Sequence, residues 1–249
     1  MVGAGEGTTH VSEIIFPEVE AAPLSEVILR LVREAIIRGQ LAPGQQVNQA
    51  ELAKQMGVSR APLREALRQL EKDGLVSNVP YRGTIVTPLT RRSIEELQSF
   101  RKLLETFAAQ LMLECCGAAE LDELEELVEQ IARAVELNDV PRMNAADIAF
   151  HSRIIELSGH LLVRDVWESY AQQIRRAMTL RNQANRDLTF LIALHRDLVA
   201  AFRAHDFATV RRCYDMHGAD LSAALSHLFT DDEATPRTGG SAGHGLGGI

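Results

Sequence analysis

Apolar residues recur at helical spacing from the twenties onward. Leu24, Val27, Ile28, Leu31, Val32, Ala35 and Ile36 predict a first helix that ends near Arg38-Gly39, with Ala42-Pro43-Gly44 as a turn. Residues 49–56 form a short second helix stopped by Gly57. Residues 60–73 form a third, with Ser59 placed to cap it, Pro62 tolerated in its first turn and Gly74 ending it. Two helices across a short turn containing Gly fit a helix-turn-helix. Beyond Gly74 the pattern becomes β-prone. Residues 75–79 and 84–87 are short runs around the turn Pro80-Tyr81-Arg82-Gly83, a two-stranded wing with Arg82 at its tip.

From residue 90 to 230 nothing alternates as a strand would. Breaks at Cys116-Gly117, Asn138-Asp139, Ser158-Gly159, near Asn185, and at His205-Asp206 divide this stretch into about six helices. The first is expected to open on a capping box of Ser93 and Glu96, with Ile94, Leu97, Leu104, Ala108 and Leu111 facing inward. The second buries Leu121, Leu124, Val128, Ile131 and Val135 and turns an acidic run to solvent. The fold class is therefore mainly α, a winged helix-turn-helix followed by an all-helical bundle.

Four segments follow from this pattern. Residues 1–20 are a polar arm expected to be flexible, and 21–89 the winged helix-turn-helix. Residues 90–230 are the bundle, and 231–249 a Gly-rich, flexible tail. The longest apolar runs are too short to span a bilayer, so no membrane partner is expected. The start lacks the basic and apolar regions of a secretory signal. Three cysteines are too few and too odd for a disulfide framework and suit a reducing cytoplasm.

Composition alone argues against a nucleic-acid partner, because the net charge is −8. The distribution reverses that inference. Residues 1–20 carry −4, residues 21–92 carry +5, and residues 93–249 carry −9. A small basic module beside a larger acidic one suggests a DNA reader joined to a sensor. On the third helix Leu63, Ala66, Leu67 and Leu70 form an apolar stripe. Arg60, Arg64 and Arg68 form a basic one on another face. Packing on the first presents the second to phosphates and base edges in a major groove. The wing, with Arg82, Gly83 and Thr84, is placed to reach a minor groove. A solvated basic face on a small helical domain is the bland alternative.

The bundle holds a second set of candidates. Asp147 and His151 lie one turn apart on one helix face, and His195 and His217 each fall on the inward stripe of a later helix. A single inward histidine is usually a satisfied core residue. Three with an aspartate beside one of them can ligate Zn²⁺, Ni²⁺ or Mn²⁺. Arg101 also faces inward, either paired with Glu105 one turn on or waiting for a carboxylate ligand. Arg181 is a second inward arginine, unless it reaches out to the surface.

LREAIIRGQLAPGQ, ELAKQMGVSRAPLREALRQLEKDGLV and RGTIV resemble the N-terminal winged helix of GntR-family bacterial transcription regulators. The resemblance implies DNA contacts at Arg60, Arg64 and Arg82-Gly83. Gln49 and Ala50 stand where the family often has an acidic-basic pair, so one contact is missing or replaced. RKLLETFAAQL, DIAFHSRIIELSG and the two later histidines resemble the FCD-type effector domain of the FadR branch, and six helices point to the VanR-like subgroup. That resemblance implies a divalent metal on Asp147, His151, His195 and His217. It also implies a small carboxylate effector with Arg101 and Arg181 as countercharges. The implied function is a cytoplasmic, homodimeric regulator, expected to be a repressor, on a palindromic double-stranded operator. It would not be an enzyme. A metal-dependent enzyme fused to a DNA-binding domain is the first rival, although no HExxH motif occurs. An architectural DNA-binding protein with a purely structural metal is the second.

Overall fold

The computed structural model describes residues 23–184, 188–217 and 221–229. The expected arm at 1–20 and tail at 231–249 lie outside the described residues. Three helices come first, α1 (Leu24–Ile37), α2 (Gln49–Gln55) and α3 (Arg60–Lys72), then strands β1 (Val76–Val79) and β2 (Gly83–Val86). Seven more helices follow: α4 (Arg91–Cys115), α5 (Ala118–Glu136), α6 (Val140–Leu157), α7 (Leu161–Ala184), α8 (Thr189–Arg203), α9 (Phe207–Met216) and the single turn α10 (Leu221–Ala224). The chain is thus mainly α, with six long helices in its second part.

α1 packs on α3 because their apolar stripes meet. Ile28, Val32 and Ile36 close over Leu63, Ala66, Leu67 and Leu70, with Val76 and Val86 of the ribbon beneath. Gly57 ends α2 at φ 65°, a left-handed value that lets the chain turn sharply into α3. β1 and β2 pair antiparallel from Val76 with Val86 to Val79 with Gly83. Ser59 sits at the N-cap of α3 with extended backbone, but its side chain makes no capping bond.

The second core lies among α4–α9, where α5 packs on α6 and α8, α6 on α4 and α7, and α8 on α9. Leu121, Leu124, Val128 and Ile131 are buried as the pattern requires. The expected capping box moves. Thr90 caps α4, its hydroxyl accepting from the Ser93 amide at 3.0 Å while the Ser93 hydroxyl accepts from the Thr90 amide at 3.0 Å. Glu96 instead accepts from Arg92 at 2.7 Å. Leu111 is half-buried, and Met112 takes the interior place. A third cluster of Leu89, Ile94, Ala177, Leu180, Leu221 and Leu225 joins the start of α4, the end of α7 and α10.

Candidate metal centre and nucleic-acid interface

α3 buries its leucines and leaves Arg60, Arg64 and Arg68 exposed, spaced one turn apart along one side. Arg82 and Gly83 are exposed at the tip of the wing, next to the fully exposed Tyr81 with φ 64°. Thr84 is different. It is 4% exposed; its hydroxyl accepts from Gln49 at 3.1 Å and donates to Asn78 at 2.9 Å. Asn78 in turn donates to Glu71 on α3 at 2.9 Å. The Gln46 amide donates to the Arg82 carbonyl at 2.6 Å. Thr84 therefore belongs to a polar chain that holds the wing against α2 and α3. Gln49 is part of that chain, which its place in the sequence did not reveal.

In the bundle, α6, α8 and the end of α9 converge. One potential ligand atom from each of Asp147, His151, His195 and His217 falls within 4.8 Å of the others, and all four residues are buried. His195 Nε2 lies 2.9 Å from Asp147 Oδ1, His151 Nε2 lies 3.4 Å from it, and His151 Nε2 lies 3.0 Å from His217 Nε2. Both Asp147 oxygens, His195 Nε2 and His217 Nδ1 lack a hydrogen-bond partner among the described residues. Buried polar atoms are rarely left so. His195 Nδ1 lies 2.7 Å from the Leu191 carbonyl, which places its proton there and leaves the Nε2 lone pair facing the cluster. Three imidazoles and a carboxylate with unused lone pairs fit a divalent first-row ion.

The charges around the cluster come largely from Glu105, 1% exposed. Its Oε2 lies 2.9 Å from His151 Nδ1, and Arg101 Nε donates to its Oε1. Burial pushes the Glu105 carboxyl up, but Arg101 and His151 outweigh it and leave the value below the ordinary one. Burial also opposes the charged form of His151, and Glu105 overcomes this and raises it. For Asp147, contacts with His151 and His195 overcome burial and hold the carboxyl well below its usual range. Burial, reinforced by His195, His151 and Arg101, holds His217 well below the usual imidazole value.

A cavity of about 180 Å³ opens beside this cluster, lined by Arg101, Glu105, Met178, Arg181, Tyr214 and His217 among others. Arg101 Nη1 lies 3.1 Å from the Met178 sulfur, and its Nη2 has no hydrogen-bond partner among the described residues. Arg101 therefore pairs with Glu105, as one of its two readings expects, and the same side chain lines the cavity. Arg181 does not reach the surface. It is 2% exposed, donating to Asn182 at 2.9 Å and lying over the Phe190 ring at 5.7 Å. The buried Tyr214 hydroxyl has no partner among the described residues either. Glu105 as a link to His151, and Tyr214 as a cavity group, are the two residues the sequence did not single out. Glu105 is visible there only as the neighbour of Arg101, and Tyr214 only through its place three residues before the inward His217.

Residues 24–86 match the family of bacterial regulatory proteins named gntR, and residues 96–220 match the FCD domain. The chain belongs to the GntR family and carries an FCD domain. As a GntR-family protein it is similar to the uncharacterized HTH-type transcriptional regulator YdhC of Bacillus subtilis. They are 33% identical over 141 residues, 55% of this chain and 62% of that protein, so the match spans less than two thirds of YdhC. It is also similar to the HTH-type transcriptional repressor RspR of Escherichia coli, 23% identical over 206 residues, covering 83% of this chain and 90% of RspR. Among solved structures, E. coli McbR/YncC shares the fold with a TM-score of 0.66 and 24% identity, covering 84% of this chain and 98% of that one. This GntR-family chain is a transcription regulator with an effector domain. Among its described residues no helix is long and apolar enough to cross a membrane.

Proposed function

We propose that this regulator binds a palindromic operator as a dimer in the cytoplasm, and that a small carboxylate metabolite held beside a divalent metal weakens that binding. Arg60, Arg64 and Arg68 on α3 and Arg82 on the wing would meet the DNA, with Ser59 and Gly83 bringing the backbone close. Thr84 supports the wing from behind. Repression is the favoured direction, since RspR is named a repressor. Leu103 and Phe107 on α4 are exposed, as are Leu161 and Leu162 at the start of α7, and the Phe107 ring meets His160 just before them, an apolar face suited to a second copy.

One observation carries the reading. The four convergent buried ligand atoms meet beside one cavity, which Arg101, Arg181 and one of the four ligands, His217, line. Asp147, His151, His195 and His217 would hold the ion. A bound divalent ion supplies positive charge and open coordination positions for a carboxylate. Glu105 keeps His151 oriented with Nε2 inward. Arg101 and Arg181 attract and orient the anion. The related regulators favour this reading over the metal-dependent enzyme.

The test is a thermal-shift screen of small carboxylates on metal-loaded, chelator-stripped and His195→Ala protein. A ligand of the folded state raises the melting temperature. The reading expects a carboxylate that stabilises only the metal-loaded wild type. Equal responses in all three samples, or none to any acid, would refute it. Turnover of a bound acid would favour the enzyme instead.

A further inference from the structure

α7 has two faces with different partners. Ile174, Ala177, Met178 and Arg181 wall the cavity. The other face is fastened to the winged helix at three points. Arg175 Nη1 lies 2.7 Å from Glu34 on α1. Gln173 Nε2 donates at 3.4 Å to the carbonyl of Asp73, the C-cap of α3. Arg176 Nη1 donates at 2.9 Å to the Thr87 carbonyl, just beyond β2. The approach is close. A Cβ on Gly74, itself at φ 71°, would come within 2.4 Å of Gln173 Nε2. A Cβ on Gly39 would come within 3.1 Å of Leu180.

Arg176 is 3% exposed, yet among the described residues only the Thr87 carbonyl accepts a hydrogen bond from it. Its Nε and Nη2 have no hydrogen-bond partner among the described residues. Burial without a carboxylate pulls its guanidinium down to about 10. A buried cation so poorly satisfied makes this docking marginal, which suits a contact that must release.

We propose that Gln173, Arg175 and Arg176 form an interdomain latch, and that a carboxylate drawn between Arg101 and Arg181 shifts α7 and loosens the hold on the winged helix. The inference rests on the reading that the cavity takes a carboxylate. The two sets of residues share a single helix and lie within about two turns of each other, so the cavity wall cannot move along that helix without moving the latch. The ligand acts only if it contacts the two placements differently, and Met178 and Arg181, one turn from the latch, supply that difference.

The experiment is amide hydrogen exchange on the full-length, metal-loaded protein, followed at residues 30–38 of α1 and the amides just after α3. Arg175→Glu sets a like charge against Glu34, and Arg175→Lys keeps the attraction. Exchange is expected to be about two- to fivefold faster in Arg175→Glu and unchanged in Arg175→Lys. Succinate is the probe of coupling, with its binding read separately by thermal shift. In wild type it should speed exchange in α1. In Arg175→Glu it should still raise the melting temperature but add no further exchange. Unchanged exchange in Arg175→Glu would overturn the latch, as would an equal succinate response in both proteins. If succinate fails to shift wild-type melting, the carboxylate reading fails for that acid. The comparison of Glu with Lys at position 175 still decides the latch.

Discussion

Glu105 touches both the candidate metal centre, through His151, and the cavity, through Arg101, so its replacement should have two separable effects. Its carboxylate lies 1% exposed between the Arg101 guanidinium, 12% exposed, and His151 Nδ1. Removing one member of a buried charged set leaves the others uncompensated, at a cost of about 3–5 kcal/mol for outright truncation. Glu105→Gln keeps the volume and one acceptor oxygen, but it removes the charge and sets an NH2 donor against Arg101 Nε or His151 Nδ1, so a loss of about 1–3 kcal/mol is expected. A second loss falls on the metal. Groups that orient a histidine ligand contribute about 10- to 100-fold in affinity, and Gln in place of the carboxylate should forfeit much of that. The assay pairs chelator competition for the metal with chemical denaturation of the metal-free protein. Adding Arg101→Gln to Glu105→Gln should recover part of the stability, since the stranded cation is then gone, with a coupling of about 0.5–3 kcal/mol. Metal affinity within twofold of wild type in Glu105→Gln would refute the link from Glu105 to the centre. Strictly additive losses in the double variant would refute the shared charge.

Other consequences are more direct. Arg64→Ala should weaken specific operator binding by about 1–3 kcal/mol in fluorescence anisotropy while metal content stays unchanged; full affinity would displace α3 as the recognition helix. Arg82→Ala should lower the slope of log affinity against log salt by about one, and an unaltered slope would take the wing tip off the phosphates. His195→Ala should strip the metal under conditions that leave wild type loaded, as read by elemental analysis. Metal uptake should also depend on pH. Glu105 raises His151 from its ordinary value against burial, so its protonated form competes with metal, whereas His217 is held well below the ordinary imidazole value. Metal binding at His151 should therefore release protons. Affinity should rise with pH through about 6 to 8, with proton release in calorimetry across buffers. Affinity that is flat over that range would contradict the assignment.

Much of this was legible because periodicity reports which side chains share a face. Leu63, Ala66, Leu67 and Leu70 are buried and the three arginines of α3 are outside, as a single helix pattern dictates. Asp147 and His151 are one turn apart, and the inward stripes of α8 and α9 bring His195 and His217 to them. What crosses between elements was not legible. Glu105 reads locally as a partner of Arg101, and only the packing of α4 on α6 brings it to His151. The burial of Arg181 depends on Asn182, Phe190 and the end of α9 closing around it. Ser93 and Glu96 satisfy the capping pattern as well as Thr90 and Ser93 do, and the competing pair of Glu96 with Arg92 decides between them. Gln173 against Asp73 joins two domains, and no local signal marks it.

Total charge was the least informative quantity, because it averages a basic reader with an acidic bundle. The excess of −9 over residues 93–249 disfavours approach of the bundle to DNA, so affinity should depend on salt through the winged helix alone.

The central claim is that occupancy of the buried centre and its cavity sets operator affinity. The measurement that tests it most directly is operator affinity, on a site obtained by in vitro selection, for one preparation in three states: chelator-stripped, metal-loaded, and metal-loaded with a carboxylate that raises its melting temperature. The account predicts an affinity at least about fivefold weaker in the third state than in the second, a coupling of about 1 kcal/mol, with the difference abolished in His195→Ala. Equal affinity in the second and third states, with the carboxylate demonstrably bound, would contradict it.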